Sequence, residues 1–425
     1  MNFILSRYAL LLLLVSAGFI GPGTALAGFP LSASRGPSSS TSAAHHAKLP
    51  FADSPQKPFV PGIVRINFSS GQAAVSGQAI IDLILIPRAG EVVGKRVTVS
   101  VKELTSLLRS LYAKIARQDL IDPGDPGSPS RRLYHLLIEP IEPDLKAHSI
   151  NNILLAVDPG LQAVPFAALH DGATYFGLKY GFSLTPSLAL TLFSSGQGTA
   201  HRKLALGASH FQEMAPLPLV PQELIAATGN SPADVFLDNA FTSSNLLSGA
   251  GDPSVKRVHV ATHAEFLPGG PDRARIFTGA GPMSLSQLAK LRERRQDTPL
   301  DLIALSACRT ALGDTSTELG FAGLAIQAAS RSAVGTLWYV DDVATSAFFV
   351  AFYRLLDSGW KKSEALQEVR RLFASGQVRL SENQVVLTDG TVLIRNLTPT
   401  QQRRVASGLE HPFFWSGIEL LGTPW

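Results

Sequence analysis

Cys308 is the single cysteine of a 425-residue chain, and it comes directly after the apolar run Leu302-Ile303-Ala304-Leu305-Ser306-Ala307. His263 ends a second such run, Val258-His259-Val260-Ala261-Thr262. A thiol within hydrogen-bond reach of an imidazole is a nucleophile–base pair. The imidazole takes the thiol proton, the thiolate attacks a carbonyl carbon, and the imidazolium returns the proton to the leaving amine. Each run reads as a short buried strand. If the two lie parallel in one open α/β sheet, His263 and Cys308 emerge at the same carboxyl edge, where such sheets hold their sites. Backbone N–H groups can bind the oxyanion, and those of Ala264 and Cys308 are in position to do so. Arg309, next to the thiol, either favours the thiolate or pairs with an exposed carboxylate; the sequence leaves both open.

Competing chemistries lack their residues. His263-Ala264-Glu265 has the H-x-E spacing of zinc deaminases, but those need further cysteines that this chain does not have. H-E-x-x-H, G-x-x-x-x-G-K and G-x-S-x-G are all missing. Gly249-Ala250-Gly251 and Gly279-Ala280-Gly281 lack a third glycine and read as loops, and His45-His46 alone make no metal site. No metal or cofactor is therefore expected. His259 shares a strand face with His263 by the period of two and should lie deeper, as a core residue.

The elements that must position this pair alternate along the chain. Strand-like runs are Ala79–Ile86, Ile153–Val157, Lys203–Gly207, Arg257–Thr262, Asp301–Ala307 and Ser332–Trp338. Between and after them lie helical patterns. One is marked by Leu104, Leu107, Leu108, Leu111 and Ile115, and a second covers Leu133–Ile138. Others open at Pro221 or cover Ser284–Leu291, Leu319–Ala329, 342–357 and 362–374. Strands alternating with helices imply parallel pairing in a three-layer α/β/α architecture with a mostly parallel central sheet. Arg292-Glu293-Arg294-Arg295 reads as a solvated helix end.

Composition agrees with a large globular unit: 45% hydrophobic and 16% charged residues give ample core. The 37 basic and 33 acidic residues leave a net charge of +4, too mild to point to a nucleic-acid partner. At the N-terminus, Arg7 precedes the apolar run Ala9–Val15, Gly21-Pro22 breaks it, and Ala25-Leu26-Ala27 supplies small residues for cleavage. Residues 1–27 therefore read as a signal peptide cleaved after Ala27, with the mature chain exported to the periplasm or beyond. No later segment is apolar enough to span a membrane. Residues 28–59, rich in Ser, Ala, Pro and Gly, form a flexible linker, and a folded unit begins at residue 60. A lone cysteine in an oxidising compartment has no internal disulfide partner.

Several ordered segments are similar to one family. Val258–Phe266 (VHVATHAEF), Leu302–Asp314 (LIALSACRTALGD), Glu318–Gln327 (ELGFAGLAIQ), Val334–Asp342 (VGTLWYVDD) and His411–Trp425 (HPFFWSGIELLGTPW) resemble the CHAT domain. So do Leu133–Pro143, Ala163–Gly172 and Leu184–Ser187, so that the resemblance runs from about residue 60 to the end. The resemblance implies a caspase-haemoglobinase-like fold, with a degenerate first half (60–200) beside an active second half (201–425). It matches His263 to the catalytic histidine and Cys308 to the nucleophile of an S-A-C motif. The 45-residue interval between them, 308 − 263, is close to the roughly 50 residues found in caspases. It also brings Trp338, Asp341 and Asp342 to the substrate cleft, although an aspartate before Val343 can equally cap the next helix. Two departures stand out. Ala264 occupies a position where many relatives have glycine, and the tetratricopeptide repeats that often accompany the domain are missing.

The residues and the resemblance together lead to the expectation of an exported cysteine endopeptidase, with a protein or peptide substrate and, as a further partner, a repeat-containing regulator. The alternative of another class is a catalytically silent module that keeps the fold for protein interaction.

Overall fold

The computed structural model describes residues 58–69, 77–158, 160–185, 188, 191, 202–229, 231–266, 274–295, 298–307, 330–338 and 341–425. The signal segment, His45-His46, nearly all of the linker, Cys308, Arg309 and the helix expected over Leu319–Ala329 lie outside the described residues.

The strands are β1 (Pro61–Ser69), β2 (Gln78–Pro87), β3 (Val93–Ser100), β4 (Asn152–Val157), β5 (Gly181–Thr185), β6 (Arg202–Gly207), β7 (Val235–Leu237), β8 (Val255–Ala261), β9 (Ala264–Phe266), β10 (Ala274–Thr278), β11 (Gly281–Ser284), β12 (Leu302–Ser306), β13 (Ser332–Thr336), β14 (Val378–Ser381), β15 (Gln384–Leu387), β16 (Val392–Ile394) and β17 (Ile418–Gly422). Eleven of them form one sheet in the order β3-β2-β1-β4-β5-β17-β13-β12-β8-β6-β7. Its neighbouring strands are parallel except at β1–β2, β2–β3 and β13–β17. The antiparallel β13–β17 pair is the junction of two oppositely directed halves. Strands from before residue 190 join β17 on one side, and β6, β7, β8, β12 and β13 form the other. Strands β4, β5, β13 and β17 are buried along their whole length, which is why they read as continuous apolar or small-residue runs.

Helices cover both faces. Those that matter for the site are α1 (Val101–Arg117), α2 (Val220–Ala227), α3 (Ser243–Gly251), α4 (Asp342–Asp357), α5 (Lys362–Ala374) and α6 (Pro399–Val405). Gly207 packs so closely on α2 that a Cβ there would come within 2.6 Å of Val220. Leu204, on the opposite face of the same strand, packs on α3, where a Cβ at Gly249 would come within 2.7 Å of it. The expected three layers are therefore present. In α1 the predicted stripe is buried at Leu104, Leu108, Leu111 and Ile115, and Ser100 caps its start by accepting the Glu103 N–H.

Helices α4 and α5 coincide with the expected spans, and strands β2, β4, β6, β8, β12 and β13 fall within two residues of theirs. Other expectations need correction. The chain from β1 to β3 pairs antiparallel, because the short links between those strands leave no room for a crossover. Over Ser284–Leu291 the helix is incomplete: Ser284 ends β11 and caps a 3₁₀ turn over Leu285–Ala289, and α-helix begins only at Lys290. Gly249 and Gly251 belong to α3 rather than to a loop. Arg295 is not solvated but 1% exposed. Its guanidinium donates to the carbonyls of Ala250, Asp252, Val255 and Thr298 and so ties α3 to the start of β8. Burial pulls its pKa down to about 10. The small sheets β9–β11 and β14–β16 had no sequence signal long enough to separate them from loops.

Candidate active site

Strands β8 and β12 are parallel neighbours, and their last paired residues are Ala261 and Ser306. His263 stands two residues past Ala261, and Ser306 stands two residues before Cys308. The two strand ends are tied together. The Thr262 N–H donates to the Ser306 carbonyl at 3.2 Å. The Ala307 carbonyl accepts the Thr336 hydroxyl of β13 at 2.7 Å, and Ala307 is buried. The chain is thus held on both sides up to the residue before the cysteine.

His263 is oriented by the loop between β6 and α2. Its Nε2 lies 2.8 Å from the Ala215 carbonyl oxygen. A carbonyl only accepts, so Nε2 carries a proton, and in the neutral ring Nδ1 is then the nitrogen free to act as base. Phe211 packs on the imidazole at 4.6 Å between ring centres. The loop itself is closed by Leu217 N–H to Ser209 O at 2.9 Å, and it is anchored by Ala208 N–H to Ala261 O at 3.1 Å.

After the histidine the chain enters β9, which pairs antiparallel with β10, Ala264 opposite Ile276. The Phe277 N–H donates to the His263 carbonyl at 3.0 Å, and antiparallel pairs alternate between bonded and non-bonded. Ala264 therefore occupies a non-bonded position, and its N–H faces away from β10.

A cavity of about 460 Å³ opens at this edge. His263, Ser306 and Ala307 line it, together with Ala215 and Leu217 of the loop. Gln118, the left-handed cap of α1, brings the first half of the chain to its wall. Deeper lies Glu223 of α2, whose carboxylate accepts from Ser346 at 2.8 Å and contacts His259 Nε2 at 2.8 Å. His259 is fully buried, and its Nδ1 meets the Tyr353 hydroxyl at 2.7 Å. It is a core residue, as expected, although the polar partners that satisfy it were not foreseen.

Asp341 and Asp342 both line the cavity; Trp338 is not among the lining residues. The Trp338 indole donates to the Phe413 carbonyl at 3.1 Å and packs edge-on to Tyr112. Asp341, not Asp342, is the cap of α4, accepting the N–H groups of Val343 and Ala344 at 2.9 and 3.1 Å. Burial raises its pKa, against the pull of Arg404, whose Nε lies 3.1 Å away. Asp341→Ala should lower stability by about 1–2 kcal/mol through loss of the cap, while Asp341→Asn should lose much less. Urea titration of the three proteins checks this, and an equal loss in both variants would contradict the capping role.

Sequence reading missed the Ala215 carbonyl, Glu223 and Arg404. A backbone oxygen has no residue signature, and Arg404 sits in a short arginine-bearing helix that looks like ordinary surface. Among the described residues, no group of three or more His, Cys, Asp or Glu could hold a metal ion. No helix among them is long and apolar enough to cross a membrane.

Comparison with known families matches the CHAT domain model over residues 127–423, most of the chain. The chain belongs to the CHAT domain family. The match begins at 127, so the strands β1 to β3 and α1 of this CHAT protein precede it, although the sequence resemblance was read from about residue 60. No curated protein sequence matches the chain. Solved structures similar to it include two crystal structures of the Saccharomyces cerevisiae separase–securin complex, with TM-scores of 0.49 and 0.47. Both are 11% identical to the CHAT protein, and each match covers 86% of this chain but only 30% of the other.

Proposed function

We propose that this CHAT protein is an exported cysteine endopeptidase acting through His263 and Cys308. The observation that carries the reading is the matched geometry of the two strand ends. Ala261 and Ser306 are register partners, and each candidate stands two residues beyond its partner. Neighbouring strands lie about 4.8 Å apart. In this reading His263 Nδ1 takes the Cys308 proton, and the thiolate sulfur bonds to the scissile carbonyl carbon. The oxyanion is held by the Ala264 and Cys308 N–H groups. Collapse breaks the C–N bond as the imidazolium protonates the amine, leaving a thioester that water hydrolyses. The Ala215 carbonyl accepts the Nε2–H throughout, which fixes the ring and stabilises its charged form. The cavity beside His263 receives the side chain preceding the scissile bond.

The test is hydrolysis of a peptide library by the full chain under reducing conditions. Cleavage that disappears in Cys308→Ala supports the reading. Equal cleavage by both proteins would contradict the role of Cys308, and none by either across the library leaves the silent interaction module. Export is tested by cell fractionation and N-terminal sequencing, with a mature start at Gly28 outside the cytoplasm expected, and cytoplasmic protein retaining Met1 as the opposing result.

A further inference from the structure

We propose that the carboxylate end of the cavity is a guanidinium-binding subsite that the chain's own Arg404 fills in the free protein. Where a substrate is concerned the proposal rests on the peptidase reading, and there Arg404 decides whether a basic residue is accepted before the scissile bond.

Asp341, Asp342 and Thr345 from the first turn of α4 line this end of the cavity, and Arg404 of α6 lines it from the other side. Arg404 grips both acids, Nε on Asp341 at 3.1 Å and Nη2 on Asp342. The second oxygen of Asp342 accepts from Gln401 at 3.1 Å. The carboxylates are the buried partners: their side chains are 10% and 19% exposed, that of Arg404 44%. One further group has no bond. Thr345 Oγ1 is buried, with the residue 4% exposed, and has no hydrogen-bond partner among the described residues.

These facts set the chemistry. Two adjacent, mostly buried carboxylates need a cation, because a buried charge left uncompensated is strongly destabilising. The cation now present is held on a half-exposed side chain, and such pairs are weak and exchangeable. A guanidinium arriving from the cavity side offers the same planar pair of N–H donors, which an alkylammonium lacks. It can also donate to Thr345 Oγ1, which Arg404 leaves unbonded. Exchange therefore conserves the ion pairs and adds a hydrogen bond, and removing Arg404 leaves a site that recruits a guanidinium from solution.

Agmatine, an arginine side-chain mimic, is the probe, and the readouts are calorimetry and the thermal midpoint of the full chain. Arg404→Ala should bind agmatine at least tenfold more tightly than wild type and gain thermal stability from it, with butylamine giving little of either. Arg404→Gln, whose amide can still donate to one carboxylate, is the second variant and should behave alike. Adding Thr345→Val to either should weaken agmatine severalfold. Folded Arg404 variants with no more affinity for agmatine than wild type would overturn the subsite. So would equal gains from butylamine. For peptides, the kcat/KM ratio of Arg to Leu before the scissile bond should rise at least tenfold in Arg404→Ala. Agmatine binding without hydrolysis of any peptide would leave the subsite standing and remove the peptidase reading. Hydrolysis with an unchanged ratio and no agmatine binding would do the reverse.

Discussion

His263→Ala is expected to lower kcat for peptide hydrolysis by a factor of roughly 10²–10⁴ while changing KM little, the signature of a group that acts in the transition state. The expectation rests on the ring's hydrogen bond. With Nε2–H held by the Ala215 carbonyl at 2.8 Å, Nδ1 is the nitrogen left to take the thiol proton. Without it, the reaction depends on the small fraction of thiolate that a free cysteine with pKa ~8.5 supplies at neutral pH. The residual rate of His263→Ala should therefore climb toward pH 9 more steeply than the wild-type rate does. A purely structural role for His263 would lower stability and leave the shape of the profile alone. Steady-state kinetics from pH 6 to 9 on both proteins separates the two.

The second large effect concerns stability. Glu419 of β17 and Arg370 of α5 are both fully buried, with Arg370 Nη2 3.7 Å from a Glu419 oxygen. Arg370 donates to the Ile418 carbonyl at 2.6 Å and lies over the Phe182 ring at 4.6 Å. Neither Glu419 oxygen has a hydrogen-bond partner among the described residues. Burial therefore wins over the attraction of Arg370 and pushes the Glu419 carboxyl up to about 8 from an ordinary value of 4.5. A carboxyl whose pKa is raised on folding contributes stability fully below its unfolded pKa. That contribution is lost as pH rises through the folded value. Wild type should thus lose, relative to Glu419→Gln, on the order of 4 kcal/mol between pH 5 and pH 8. Urea unfolding of the two proteins across that range measures the difference. Parallel curves would contradict the assignment, and a gap widening toward acid would reverse its sign. Glu419 pairs across the sheet with Gly335 of β13, so the effect reports on the junction of the two halves.

What the sequence disclosed depended on whether a feature had a local pattern. β8, β12, α4 and α5 were legible because periodic apolar runs, proline and capping residues mark them. His263 and Cys308 were singled out because both come directly after such runs; of the two, His263 lies among the described residues. Asp341 could be read only as one of two possible caps, since either aspartate precedes a helical pattern at a suitable distance. Of the β1–β3 meander only β2 was read as a strand; β3 has a single buried residue, Val99, and so carries no apolar run. Arg295 was misread because a basic run says nothing about the carbonyls that the fold turns toward it. The contacts of Arg404 and the loop carbonyl of Ala215 come from segments distant in the chain, and no spacing rule brings them to Asp341 or His263.

The central claim is that Cys308 is a nucleophile activated by His263. The most direct measurement is labelling of the full chain with a peptidyl acyloxymethyl ketone, then tandem mass spectrometry of the adduct. A single adduct on Cys308 of wild type is expected, absent from Cys308→Ala and much slower to form in His263→Ala. An unlabelled Cys308 in folded, reduced protein, or labelling at the same rate without His263, would contradict it.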